Sequence, residues 1–289
     1  MFAYMQKKQY LCGMKQKIVQ ILIWLGIVFG CAFVIVTAGK MLLPTTQTVS
    51  SLKWFQFFSV AGMFLLPPML CGYLWDAEKK PFRWLQMDKG AHWSYFLMAA
   101  GLMVVALPAV NLLADLNHMI PLPDSLLAEE EQAEAMTKTL LQADSIGVIL
   151  CNFGLMALLP ALAEEMTFRG TLQQIIQGVR SQDSGVRIHL AIWITAIVFS
   201  AIHMQFLGFI PRMLMGAMFG YLFVWTGTLW IPIVMHFTNN AVTILLFYVL
   251  PENSNADTFG AGTTWWVGVL SLMITCLGLL IFYRRTRTQ

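Results

Sequence analysis

The sequence predicts an all-α fold: a polytopic integral membrane helical bundle of about eight transmembrane helices, with both termini in the cytoplasm. Three observations support this fold class. Of the 289 residues, 58% are hydrophobic and only 11% are charged, whereas soluble domains carry about 25% charged residues. The apolar residues are gathered into runs long enough to cross a bilayer. Basic and acidic residues lie between alternate runs, as in multi-pass membrane proteins.

Eight apolar runs are candidate membrane spans, and together they predict one integral membrane domain over residues 1–289. The sixth run is short, so seven spans with one re-entrant segment is a second possibility. The runs cover residues 18–38, 54–75, 93–114, 146–168, 189–210, 211–226, 229–250 and 264–283.

The basic residues between the runs predict the orientation under the positive-inside rule. Lysines precede the first run, Lys79 and Lys80 follow the second, and arginines follow the last. These segments are therefore predicted to be cytoplasmic, and the acidic segment 115–145 is predicted to be extracytoplasmic. We expect that segment to form a surface helix, or a lid over a membrane cavity. Glu134 and Lys138 in it are spaced to form an i,i+4 ion pair.

Ionisable residues inside apolar runs are energetically costly, which makes each of them a functional candidate. The stretch "LAEEMTFRG" at 162–170 contains Glu164, Glu165 and Arg169. Glu165 and Arg169 are four residues apart and can pair on one helix face, whereas Glu164 points about 100° away. The spacing predicts one neutralised carboxylate and one free carboxylate that is suited to act as a general base.

Two further motifs place polar groups one helical turn apart in later runs. "FSAIH" contains Phe199 and His203, and "HFTNN" contains His236 and Asn240. A histidine in a membrane can simply bond a neighbouring helix. Alternatively, two hydrogen-bond donors on one face can hold a developing oxyanion. Together with Glu164, these residues could activate a water molecule and stabilise a tetrahedral intermediate.

The order Glu-Glu-x-x-x-Arg, Phe-x-x-x-His, His-x-x-x-Asn resembles the CAAX protease and bacteriocin-processing family of intramembrane glutamic endopeptidases. It is similar to the type II CAAX prenyl endopeptidases in particular. The resemblance covers about residues 146–250, which we take as the predicted catalytic core. It implies an endopeptidase that needs no cofactor and acts on a protein or peptide of CAAX type, with a lipid anchor or with a leader peptide.

The resemblance also implies a role for each motif residue. Glu164 would be the general base, and His203 would help it to position the attacking water. His236 and Asn240 would form the oxyanion hole. The remaining motif residues would support the site: Glu165, Arg169 and Phe199.

Three other functions compete with this one. Glu164, His203 and His236 could bind zinc as a His₂Glu set, although the sequence lacks His-Glu-x-x-His. Buried ionisable groups also occur in transporters, and the polar residues could merely fix helix packing in a non-catalytic scaffold. The expected partners are a peptide substrate and membrane lipids, because the net charge of +3 reflects topology and not nucleic-acid binding. The expected location is the plasma (inner) membrane of a prokaryote.

Overall fold

The computed structural model describes residues 2–42, 48–178, 185–250 and 259–288, and within these ranges every regular element is helical. The predicted all-α bundle is therefore confirmed. In chain order the helices are α1 (Phe2–Leu42), α2 (Val49–Trp75), α3 (Pro81–Trp84), α4 (Trp93–His118), α5 (Asp124–Leu141), α6 (Ile146–Gln177), α7 (Gly185–Ala201), α8 (Phe209–Thr226), α9 (Trp230–Val249) and α10 (Trp265–Arg287).

Seven helices in the described ranges are long and apolar enough to cross a membrane, namely α1, α2, α4, α6, α8, α9 and α10. The sixth run, whose shortness left a re-entrant segment open, is among these seven helices. That run forms α8, with 18 residues, whereas the fifth run forms α7, with 17. The fifth run also ends earlier than predicted, because the chain turns at 202–208 instead of continuing to residue 210.

Contacts between helix ends define two faces of the bundle. On the first, Lys17 Nζ donates to the Ile176 carbonyl (3.1 Å), and Tyr95 OH donates to the Arg285 carbonyl (3.2 Å). Lys79, Lys80 and Lys89 belong to the connection that ends beside Tyr95. We call this surface the basic face. It is formed by Lys17 and by residues 76–95, 174–178, 227–230 and 285.

The opposite helix ends form an acidic face, defined by residues 48–53, 115–145, 202–210 and 259–264. Here Leu207 N donates to Glu130 Oε1 (2.9 Å), and Asn111 Nδ2 donates to the Phe259 carbonyl (3.0 Å). Successive helices run between the two faces. Helix α7 does so as well, because its 17 residues extend about 26 Å. Within the described ranges, the seven apolar helices and the shorter α7 thus run between the two faces, and the first and last helices have their outer ends on the basic face.

Helices α2 and α6 share a device that accommodates proline. Each contains a π-helical turn, at 61–65 in α2 and at 154–158 in α6, followed within two residues by Pro67 or Pro160. Proline lacks the N–H that an α-helix needs and clashes with the preceding turn, and the wider π turn accommodates this defect. Helix α6 therefore continues to Gln177, beyond the end of the apolar run at residue 168, and passes through a second π turn at 168–173.

The residue that precedes α9 is packed inward, although Trp230 itself is 36% exposed. Leu229 is fully buried, and its N–H donates to the Gln86 carbonyl (3.0 Å). The Gln86 side chain in turn bonds Gln174 (3.1 Å), which lies about 15 Å along α6 from Glu164. His236 is only six residues into α9. It can therefore approach Glu164 only if the chain before α9 is packed inward in this way.

The orientation of the two faces can be tested by cysteine labelling. We expect the basic face to be cytoplasmic because of the positive-inside rule. In a cysteine-free background, a membrane-impermeant maleimide should label Glu131→Cys in intact cells. Lys80→Cys and Thr288→Cys should react only after the cells are permeabilised, and all three positions are exposed. Labelling of Lys80→Cys in intact cells would reverse the predicted orientation.

Candidate active site

A buried ion pair lies at the centre of the site. Arg169 NH1 contacts Glu165 Oε1 at 2.7 Å, and both side chains have no exposed surface. The pairing predicted from the i,i+4 spacing is therefore confirmed. Removing two charges from solvent costs several kcal/mol per ion, and the pair is tolerated only where further hydrogen bonds satisfy it.

The guanidinium of Arg169 receives those further contacts from α7 and α8. Its NH2 donates to the Gly216 carbonyl (2.8 Å). It also lies over the rings of Phe199 (4.5 Å) and Phe219 (5.2 Å), which adds cation–π attraction. Residue 216 must be small, because a Cβ atom there would lie 3.2 Å from Arg169 NH2.

The Gly-x-x-x-Gly spacing in α8 matches a polar spacing in α6. Gln173 Nε2 donates to the Gly220 carbonyl (3.2 Å) one turn beyond the bond from Arg169 to Gly216. A Cβ atom at residue 220 would lie 2.7 Å from Gln173 Oε1. Small residues often let membrane helices approach each other, and here they let two long polar side chains of α6 reach the backbone of α8.

His236 shares the Glu165 carboxylate with Arg169. Its Nδ1 lies 2.9 Å from Glu165 Oε1, and its ring stacks on Phe219 with centroids 5.3 Å apart. An ionised carboxylate only accepts hydrogen bonds, so Nδ1 carries the proton of this bond. The other ring nitrogen, Nε2, faces Glu164.

Glu164 lies between two histidines and does not contact either directly. Its Oε2 is 3.8 Å from His203 Nε2 and 4.0 Å from His236 Nε2, distances longer than a hydrogen bond. The exposed fraction of the side chains rises from 0% at Glu165 through 7% at His236 and 14% at Glu164 to 27% at His203. The cluster is therefore closed at Glu165 and accessible at His203.

Phe199 packs against Arg169 and both histidines of the site. Its ring meets His203 edge-on at 5.1 Å and His236 at 5.9 Å, and the side chain is 2% exposed. The Phe199 carbonyl also accepts from His203 Nδ1 (2.7 Å). A carbonyl only accepts hydrogen bonds, so Nδ1 of His203 carries the proton of this bond. With Nδ1 held in this way, Nε2 of His203 faces Glu164. The Phe-x-x-x-His spacing thus orients the histidine through both ring and backbone.

Asn240 is the predicted site residue with the fewest links to the others. It lies one turn beyond His236 on α9 and is half-buried. Its Oδ1 accepts from Asn239 Nδ2 (3.1 Å). In the described part of the chain, none of its hydrogen bonds joins it to Glu164 or to either histidine.

The predicted location of His203 inside the fifth span is wrong. Helix α7 ends at Ala201, and His203 lies in the turn that follows, with its N–H bonded to the Ser200 carbonyl (3.3 Å). The next residue, Met204, has a φ of 53°, which is uncommon for a side chain of this size. This left-handed residue ends the helix and holds His203 at the acidic face.

Three residues that sequence reasoning missed support the turn at 202–208. Asn117 Nδ2 donates to the Phe206 carbonyl (2.8 Å), and Arg212 donates to the side chain and carbonyl of Gln205. Glu130 of α5 accepts from Leu207 N. Arg212 is also near enough to interact electrostatically with Glu164. Only Arg212 had a signal in the sequence, because it is an ionisable residue within the predicted sixth span.

Glu164, His203 and His236 form the His₂Glu set that could bind zinc. Within the described ranges, no group of three or more His, Cys, Asp or Glu side chains has the arrangement of a metal site. The separations of 3.8 and 4.0 Å exceed the roughly 3.4 Å expected between tetrahedral ligands of one zinc ion. However, both histidines have Nδ1 bonded to an oxygen atom, as metal-bound histidines commonly do.

Removing the cation of the buried ion pair should lower stability far more than removing the cation of an exposed pair. Arg169→Ala should lower the free energy of unfolding by about 3–5 kcal/mol, because it leaves the Glu165 charge buried without a cation. The control is Lys138→Ala, which removes the exposed i,i+4 pair with Glu134 (2.6 Å) and should cost less than about 0.5 kcal/mol. Unfolding of both variants by SDS in mixed micelles measures the difference. Equal losses would contradict a structural role for Arg169.

Comparison with known proteins agrees with this geometry. Residues 146–242 match the family model described as type II CAAX prenyl endopeptidase Rce1-like. The chain is 29% identical over 142 residues to the uncharacterized protein YpbD of Bacillus subtilis (strain 168), which is 48% of this chain and 64% of that relative. No solved structure matches the chain. The matched third of the chain contains every motif residue, and the resemblance to CAAX prenyl endopeptidases is confirmed over residues 146–242.

Proposed function

We propose that this protein is an intramembrane glutamic peptidase in which Glu164 activates the water that attacks a peptide bond. The observation that carries the proposal is the position of Glu164 Oε2 between the Nε2 atoms of His203 and His236. A water molecule bound to all three atoms would be held on the accessible side of the cluster. The match to the Rce1-like model supports the general class, an intramembrane protease.

The reaction follows from the hydrogen-bonding capacity of these groups. Glu164 takes a proton from the water while His203 Nε2 accepts its second hydrogen bond. The hydroxide attacks the carbonyl carbon and forms a tetrahedral oxyanion. Glu164 then returns the proton to the leaving amine, and the C–N bond breaks. The products are a new carboxyl end and a new amino end, with Glu164 ionised again.

Charge balance favours His236 as the stabiliser of the oxyanion. Ionised Glu164 and Glu165 with Arg169 leave one net negative charge in a buried cluster. A positively charged His236 would neutralise that charge. The Nε2–H of an imidazolium would then donate to the oxyanion. Asn240 remains the proposed second donor, although its contact with Asn239 would have to change.

The substrate is proposed as a peptide or protein reached within the membrane. CAAX-type, lipid-anchored and leader-peptide substrates all satisfy this description. The relative from Bacillus suggests the plasma membrane of a prokaryote as the location. Neither a cofactor nor a nucleic acid has a role in the proposed reaction.

The role of Glu164 is tested by comparing peptide ends in cells. Membranes from cells that make wild-type protein should contain new peptide ends that are missing with Glu164→Gln at equal abundance. Cleavage of such a substrate by purified protein should fall about 10²–10⁴-fold, the usual contribution of a general base. The control is Glu134→Gln, an exposed change on α5 that should leave the rate unchanged. Cleavage by a folded Glu164→Gln protein at the wild-type rate would refute the proposal.

His236 and Asn240 should differ in their contribution to the rate. Truncation of the principal oxyanion donor costs about 10²–10³-fold in kcat, so His236→Ala should lose at least this much. Asn240→Ala should lose about tenfold or less, because the structure bonds Asn240 to Asn239. Single-turnover cleavage by both variants measures the difference. A larger loss for Asn240→Ala would reverse the assignment.

Zinc hydrolysis is the second candidate, favoured by the oxygen-bonded Nδ1 atoms of His203 and His236. The glutamate mechanism predicts that the rate persists after dialysis against a strong chelator. It also predicts less than one zinc ion for every ten active molecules by elemental analysis. Loss of activity that returns when zinc alone is added would favour the zinc mechanism.

A further inference from the structure

A second cavity lies away from the proposed active site, between the first half of α2 and the first half of α6. It has a volume of about 970 Å³, within the range of ligand sites in proteins. Its lining contains neither Glu164 nor His203, His236 or Asn240. The peptide bond that reacts at Glu164 would therefore lie elsewhere.

This cavity and the proposed active site lie on different faces of α6. Thr167 donates to the Phe64 carbonyl of α2 (2.6 Å), which marks the face of α6 that α2 covers. Leu159, in the cavity lining, is five residues before Glu164 and therefore points about 140° away from it around α6. Glu164 points toward α7 and α9.

The cavity is apolar along its length and charged at its mouth. Trp54, Phe57, Leu155 and Leu159 line it with hydrocarbon and aromatic surface. The mouth lies where α2 and α6 both begin, at the acidic face, and contains Lys53 together with Asp144 and Gln142. From that end to Leu159 the cavity follows α6 for about 20 Å. Trp54 is 60% exposed, as tryptophans at a membrane interface are.

Lys53 has the geometry of a phosphate-binding cation. Its Nζ donates to the neutral Gln142 carbonyl (3.2 Å), and an ammonium group has three donors. The structure pairs it with no carboxylate among the described residues. The backbone bond thus holds a cation at the point where a headgroup would enter, and lysine commonly binds phosphate as a point charge.

We propose that this cavity is a binding site for a membrane phospholipid, with an acyl chain between α2 and α6 and the phosphate at Lys53. A phospholipid supplies both the hydrocarbon that the lining requires and the anion that the mouth requires. The hydrocarbon chain of a lipid-anchored substrate would satisfy the lining but would bring no anion to Lys53. This inference does not depend on peptidase activity, because binding is measured by itself.

The test measures lipid retention by the full-length protein with native mass spectrometry, using dioleoylphosphatidylethanolamine as the probe. Dioleoylglycerol, which has the same chains and no phosphate, is the matched lipid. The phospholipid should bind at least about tenfold more tightly, because its phosphate adds a charged hydrogen bond with Lys53. Lys53→Gln should abolish this preference and leave dioleoylglycerol unchanged.

Two glycine variants test the location. Gly154 lines the cavity, and a Cβ atom there meets nothing within 4 Å, so Gly154→Leu should project into the cavity and remove bound lipid. Gly101→Leu on α4 is the control, because its Cβ is equally unobstructed and lies outside the cavity lining. If Gly154→Leu does not fold, Cys151→Phe fills the same cavity from an exposed position.

Three results would overturn the proposal. The first is equal retention of the two lipids with no effect of Lys53→Gln. The second is full retention of phospholipid by a folded cavity-filling variant. The third is displacement of the phospholipid by a prenylated peptide, which would assign the cavity to a substrate chain. Failure of Glu164 to support catalysis would leave all three measurements unaffected, so the two proposals fail independently.

Discussion

The geometry of the proposed active site depends on the burial of the Glu165–Arg169 ion pair. Both side chains are fully buried, and further hydrogen bonds to the pair offset part of the cost of that burial. Each neighbouring helix satisfies part of this demand. Helix α7 contributes the Phe199 ring, α8 the Gly216 carbonyl and α9 the His236 imidazole. The same contacts bring His203, in the turn after α7, and His236 of α9 to within about one water molecule of Glu164.

Polar contacts can determine this arrangement because the bundle lies in a membrane. Lipid tails are as apolar as leucine, so burial of hydrocarbon discriminates poorly between one helix packing and another. Hydrogen bonds and close contacts at small residues discriminate better. The bonds from Arg169 and Gln173 of α6 to Gly216 and Gly220 of α8 fix both register and distance. Two adjacent glutamates can then have separate tasks, because one residue rotates the side chain by about 100° around α6.

The sequence predicted features that depend on one helix and missed those that depend on two. Run lengths predicted the all-α bundle, and i,i+4 spacing predicted the pairing of Glu165 with Arg169. The end of α7 at Ala201 was not predictable, because "FSAIHMQF" has no glycine or proline and the helix stops where Asn117 and Ser200 bind the turn. The bond from His236 to Glu165 was missed for the same reason. Only the relative depth of α6 and α9 decides which glutamate the histidine meets.

Helix α6 connects the proposed chemistry with the membrane around it. Its first π turn, at 154–158, supplies Gly154 and Leu155 to the cavity beside α2. Its second, at 168–173, contains Arg169 and Gln173. Each π turn adds a residue to one turn of the helix and so rotates everything that follows. Without the first turn, Pro160 would distort the helix just before the two glutamates. The face that meets α2 and the face that meets α7 to α9 are therefore set by the same irregularities, which keep hydrocarbon on one side of α6 and ionised groups on the other.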